Sequence, residues 1–184
     1  MIRLATSVGI LSTFLLSGCS KTSEPELNYR IYVGTYTEAE SEGIYVADFS
    51  STGPKLSELS LAAPLNQTTY QAIDADTDRL FSTGILDGSG ENNGVLKSFA
   101  IQDDGGLEEI SDRPAEKSPI LAYLHYRGIY QHVFTISYAG GGIHAYPVDA
   151  TGIIGDESGY AKHVGGSGVV ESRQLEAHPH SIYT

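Results

Sequence analysis

Arg30-Ile31-Tyr32-Val33-Gly34-Thr35-Tyr36, answered by Gly43-Ile44-Tyr45-Val46-Ala47-Asp48-Phe49, is the pattern that decides the fold. Both stretches are dense in β-branched and aromatic residues, the composition of strands. A turn through Glu42-Gly43 joins them. The polar turn Ser50-Ser51-Thr52-Gly53-Pro54 then leads to a third strand, expected over Lys55–Leu59. The same order recurs. Arg79–Gly84 precedes a glycine-rich turn and Gly94–Ile101, and Asp103-Asp104-Gly105-Gly106 opens Leu107–Ile110. A third copy runs His132–Tyr138, then Gly142–Val148. The strand-opening glycines Gly43, Gly94 and Gly142 stand 51 and 48 residues apart.

One further short strand precedes each of the later copies, at Tyr70–Asp74 and Ile120–Leu124. Four strands in about 50 residues is the size of a propeller blade. A four-stranded antiparallel blade stacks on its neighbours through both faces. Strands such as Ile31–Tyr36 and Val133–Tyr138 are accordingly apolar on both faces and do not alternate cleanly. A sandwich or barrel of hairpins would also give short strands, but not the same strand order at near-constant spacing. The expected fold is all-β: a β-propeller of about three four-stranded blades plus the first strand of a fourth, His180-Ser181-Ile182-Tyr183, with helix content near zero. A propeller closes with about 4–8 blades. This count therefore reads as a truncated ring, completed by further blades or by assembly of copies.

Working outward to the N-terminus, Met1-Ile2-Arg3 and the apolar run Leu4–Leu16 read as an export leader. The run is shorter than the roughly 20 apolar residues that span a bilayer. Leu16-Ser17-Gly18-Cys19 matches a lipobox: an apolar residue, two small residues, then the cysteine that receives the lipid. Cys19 is the sole cysteine of the chain, so its acylation leaves no thiol for a disulfide, a nucleophile or a metal. Residues 1–18 are thus expected to be a signal peptide, 19–28 a polar tether, and 29–184 the folded part. The expected location is the cell envelope, exported and held to the membrane by the lipid on Cys19. The net charge of −12 repels nucleic acid and anionic headgroups, and an anionic ligand would need a local cationic cluster.

Such a cluster stands near the C-terminal end. His178 and His180, at i and i+2 of an expected strand, point the same way. His163 sits in the small-residue loop His163-Val164-Gly165-Gly166-Ser167-Gly168, and Arg173-Gln174 lies between. Two readings stand side by side: a general base with an anion clamp at the mouth of a central channel, or polar residues bonded to backbone at turns and blade edges. Zinc on His163, His178 and His180 fits by ligand type, but no carboxylate stands at a second-shell spacing, and no metal or cofactor is expected. His125, His132 and His144 read as packing or surface residues. Asp87–Gly94 lacks the terminal glutamate of an EF-hand and reads as a long turn. Gly140-Gly141-Gly142 precedes no helix, and Ser167 has no nucleophile-elbow frame.

These residues carry a resemblance. Tyr32-Val33-Gly34-Thr35-Tyr36-Thr37 with Gly43-Ile44-Tyr45 resembles the first blade of the lactonase family of seven-bladed propellers, typified by bacterial 6-phosphogluconolactonase. Tyr138-Ala139-Gly140-Gly141-Gly142 resembles its Asn-Tyr-x-Gly-Gly segment, with Ser137 in place of the Asn. The stretch from His163 through Arg173-Gln174 to His178-Pro179-His180-Ser181 is similar to its His-x-Gly-Ser-Gly, Arg-Gln and Pro-His-Ala-His-Ser motifs. The family often carries a Cys-His pair after a Ser-Pro; here Ser118-Pro119 runs into Ile120-Leu121-Ala122, without that histidine. The resemblance implies a cofactor-free hydrolase that opens a sugar lactone. His180 would be the base, Arg173 its anion partner, and His163, His178 and Gln174 would be substrate-binding residues. The alternative is a non-catalytic envelope propeller that binds a carbohydrate or a protein.

Overall fold

The computed structural model describes residues 27–38, 40–53, 55–86, 93–115 and 121–184. The expected leader, Cys19, most of the expected tether, most of the Asp87–Gly94 segment and Ser118-Pro119-Ile120 lie outside them. Twelve strands form three four-stranded antiparallel sheets among the described residues. The first holds β1 (Asn28–Gly34), β2 (Gly43–Ser50), β3 (Lys55–Leu56) and β4 (Ser60–Pro64). The second runs β5 (Gln71–Asp74), β6 (Arg79–Ile85), β7 (Gly94–Ile101) and β8 (Leu107–Pro114) in simple order. The third repeats that order with β9 (Tyr123–Arg127), β10 (His132–Ile136), β11 (Gly142–Pro147) and β12 (Gly159–Lys162). A single 3₁₀ turn, Gly128–Tyr130, is the one helical element among the described residues. The sheets are the three blades expected from the repeat.

Four expectations are adjusted. The third strand of the first sheet is split. Ser57 Oγ accepts a bond from the Asp48 amide at 2.9 Å, so a side chain interrupts the ladder and pairing resumes at β4. The first strand of the third sheet runs from Tyr123, while Leu121, expected within it, lies wholly buried in the core between sheets; Ile120 is outside the described residues. β12 leaves no mark in the sequence because Gly-Tyr-Ala-Lys is short, exposed and without alternation. His180–Tyr183 joins no ladder among the described residues; a strand exists only where a neighbour pairs with it.

The middle sheet shows why its strands are apolar on both faces. Leu80, Val95 and Phe99 pack with Ile44, Ala63 and Leu65 of the first sheet. Their sequence neighbours Phe81 and Leu96 pack with Leu124, Val133 and Tyr146 of the third. Adjacent residues on a strand point oppositely, so one sheet contributes to two cores.

Polar latches repeat between sheets. Arg30 donates to the carbonyls of Gln102 and Asp103 at 3.2 and 3.0 Å, and the Tyr32 hydroxyl donates to the Gly105 carbonyl at 3.0 Å. Burial, first, pushes the Tyr32 phenol above its ordinary value, against the opposing charge of Arg30. One sheet further on, Arg79 donates to the Ala150 carbonyl at 2.6 Å and Ser98 to the Gly152 carbonyl at 2.7 Å. Gly105 and Gly152 both have positive φ, 92° and 95°, and a Cβ on either would meet the latching arginine within about 3 Å. Two separate constraints thus require glycine at each turn.

Asp149 holds the second of these turns. Its Oδ1 accepts from the Thr151 hydroxyl, the Thr151 amide and the Ile153 amide at 2.7, 2.8 and 3.0 Å. The Thr151 hydroxyl, then the Ile153 amide, hold its carboxyl below the ordinary value. A depressed folded-state value means that the stabilisation is fully present above the unfolded carboxyl's pKa, about 3.9, and is lost as pH falls through the lower folded one. Asp149→Asn is therefore expected to lower the urea midpoint at neutral pH and to converge with the parent in acid. A constant difference across pH would show that the turn does not use the charge.

Candidate functional site

The loop leaving β10 and the irregular segment after β12 meet at one end of the third sheet. Ser137, fully buried, pins the β10 turn by accepting the Gly140 amide at 3.1 Å. Gly141 then crosses beneath the last segment with φ 64°. Its carbonyl accepts the His163 amide at 2.9 Å, and a Cβ there would stand 3.1 and 3.2 Å from the carbonyls of His163 and Ala177. The glycine lets both passes of chain lie against the β10 turn.

Tyr138, which is not among the candidate residues of the sequence pattern, stands at the centre. Its ring stacks on His178 at 4.5 Å and 16° and meets His180 edge-on at 4.9 Å and 77°. Its hydroxyl receives Arg173 Nη2 at 3.4 Å, a long bond. Its carbonyl is 2.8 Å from His178 Nδ1. His180 Nδ1 lies 3.2 Å from the Tyr123 hydroxyl, and Tyr123 meets Tyr70 at 5.4 Å. Beside this group opens a cleft of about 350 Å³ lined by Tyr36, Thr69, Ala122, Tyr123, Tyr138 and His180. Its wall comes from all three sheets or their connections, as expected for the end of a blade stack.

The structure brings together His178, His180 and Arg173 of the five residues singled out from sequence. It does not bring in His163, whose exposed ring takes part in no hydrogen bond or ring contact among the described residues. Gln174 is drawn into its own loop. Its Oε1 accepts the Ser167 hydroxyl and the Val170 amide, both at 2.9 Å, and its carbonyl accepts the Gly168 amide at 2.9 Å. A turn clamp of this kind sets where Arg173 sits. No group of three His, Cys, Asp or Glu side chains suited to a metal occurs among the described residues. Tyr36, Tyr123 and Tyr138 were missed as site residues because tyrosine reads as strand content. Tyr36 and Tyr138 lie two residues past the ends of β1 and β10, and Tyr123 opens β9.

A wider groove of about 730 Å³ runs along β1–β3 past Tyr29, Phe49 and Leu56. Its charges are the exposed Arg30–Asp48 pair, 3.5 Å apart, and Lys55. Away from the smaller cleft, His144 is fully buried on Glu157 at 2.8 Å, and His132 stacks on Phe134, packing roles both.

Residues 30–184 match the family model described as lactonase, 7-bladed beta-propeller. Over 149 residues the chain is 32% identical to the 6-phosphogluconolactonase of Bacillus subtilis (strain 168), covering 81% of this chain and 41% of that protein. Among solved structures, the periplasmic gluconolactonase of Pseudomonas aeruginosa superposes with TM-score 0.75 at 25% identity over 86% of this chain and 44% of that one. A putative 6-phosphogluconolactonase from Bacteroides fragilis gives TM-score 0.74 at 24% identity over 88% and 43%. The chain spans about two-fifths of the length of these relatives.

Proposed function

The chain belongs to the lactonase family of seven-bladed β-propellers, and on that footing we propose that the site around Tyr138 opens a sugar lactone by hydrolysis. The observation that carries this reading is the convergence of two imidazoles and a guanidinium on one tyrosine beside an aromatic-lined cleft. Aromatic walls suit the apolar face of a sugar ring. Lactone hydrolysis needs an activated water and a stabilised oxyanion.

His180 takes the water proton. In the tautomer whose Nδ1 donates to the Tyr123 oxygen, 3.2 Å away, its lone pair stands on Nε2. The water oxygen bonds to the carbonyl carbon, and the electron pair of the C=O moves to oxygen, which Arg173 faces as a fixed cation. When the C=O re-forms, the ring C–O bond breaks, and the imidazolium returns its proton to the departing ring oxygen. The product is a hydroxy acid. A pH-stat assay of γ- and δ-sugar lactones tests this, on a full-length homologue carrying the same His178-Pro179-His180-Ser181 segment. Opening of at least one lactone well above the spontaneous rate is expected. Tight sugar binding without turnover would favour the non-catalytic carbohydrate-binding reading instead.

The leader and lipobox support an envelope location, with the lipid on Cys19 as the membrane anchor. Cys19→Ala is expected to abolish incorporation of a fatty-acid probe in cells. Label retained on that variant would overturn the anchor.

A further inference from the structure

We propose that Tyr138 is the positioning residue of this site, one side chain that sets the orientation of His178, His180 and Arg173 together. The inference rests on the lactone-opening reading for its chemical meaning, but its geometry stands alone. Each of the three polar residues comes from an irregular segment with no ladder to hold it. Each meets Tyr138 in a different way: His178 stacks on its ring, His180 lies nearly perpendicular to it, and Arg173 reaches its hydroxyl. The tyrosine itself is half-buried and fixed at the β10 turn by the buried Ser137 and the close passage at Gly141.

The backbone adds a tautomer constraint. A carbonyl oxygen only accepts, so the 2.8 Å contact requires His178 Nδ1 to carry the proton and donate to the Tyr138 carbonyl. Neutral His178 therefore presents its lone pair at Nε2, the form free histidine favours less. The stacked ring of Tyr138 keeps the imidazole in the plane where that bond can form. Two histidines spaced i, i+2 are thus given distinct jobs. His178 is locked as an Nε2 acceptor, and His180 is held edge-on beside the cleft.

The test uses the whole chain with ¹⁵N-labelled histidine, read by imidazole nitrogen shifts in the neutral form. The parent is expected to show His178 as the Nδ1–H tautomer. Tyr138→Phe, which keeps the ring and the carbonyl, is expected to retain it. Tyr138→Leu, which keeps the carbonyl and loses the ring, is expected to shift His178 toward Nε2–H and to move the His180 signals. Amide signals of β6 and β7 serve as the fold control, and Tyr138→Phe remains informative should Tyr138→Leu not fold. His178 as Nε2–H in the parent, or imidazole spectra unchanged in a folded Tyr138→Leu chain, would overturn the proposal.

In a full-length homologue with the same four residues, the Tyr→Phe change is expected to raise KM and lower kcat, each about 2–10-fold at an unchanged folded fraction, as loss of a bond that orients the oxyanion-facing Arg173 requires. Equal loss in kcat and in folded fraction would mark the tyrosine as merely structural. The nitrogen shifts need no turnover, so a chain that opens no lactone would sink the functional reading and leave the positioning claim to stand or fall on the shifts.

Discussion

Phe81→Ala is expected to destabilise the chain by about 3–5 kcal/mol, the range for deleting a buried aromatic side chain. Phe81 is wholly buried at the centre of β6. It packs with Leu96 of its own sheet and with Leu124, Val133 and Tyr146 of the next. It also stacks on Tyr126 at 4.5 Å and 25°. The ring is the largest wholly buried side chain that the second sheet contributes to the third. Its removal opens a cavity between two rigid backbones that cannot readily collapse. Leu80→Ala acts on the opposite face, where Ile44, Ala63 and Leu65 wait, and is expected to cost about 2–5 kcal/mol. Urea unfolding of the two variants measures both. A loss below about 1 kcal/mol at Phe81, well under the usual core range, would mean that the second and third sheets do not share a core.

His180→Ala, in a full-length homologue with the same segment, is expected to lower turnover about 10²–10⁴-fold, the usual consequence of losing a general base. The substitution removes an exposed side chain from an irregular segment, so the fold should survive it. Arg173→Ala is expected to raise KM as well as lower kcat, because a guanidinium that faces the oxyanion also holds a ground-state carbonyl or anionic group. Parent-like rates in both folded variants would assign the residues to packing and favour a binding module. The two effects should not add, since Tyr138 touches both side chains.

The fold was legible because a repeated glycine and a repeated strand order carry the same physical instruction twice. Gly43, Gly94 and Gly142 all open the strand that pairs antiparallel with its predecessor. What sequence could not supply was anything decided by partners. β12 has no apolar face of its own and exists because β11 offers it an edge. Leu121 looked like strand and became core between sheets. The site followed the same rule. His178, His180 and Arg173 stood out as scarce cationic and imidazole groups, and they do converge. Gln174 looked like a ligand contact and instead closes a loop onto Ser167 and Val170. His163 differs from His178 only in what lies beside it, which no local pattern encodes. Tyr138 was hidden for the opposite reason. Aromatic residues are common in these strands, and only its position past the end of β10 distinguishes it.

The most direct measurement of the central claim is a crystal structure of a full-length homologue, sharing these residues, with the stable hydroxy-acid product of a sugar lactone. The sugar is expected against Tyr36, Tyr123 and Tyr138, with its carboxyl carbon within about 3–3.5 Å of a water or oxygen held by His180 and its carboxylate facing Arg173. A product seated elsewhere, with the Tyr138 cleft filled only by solvent, would contradict it.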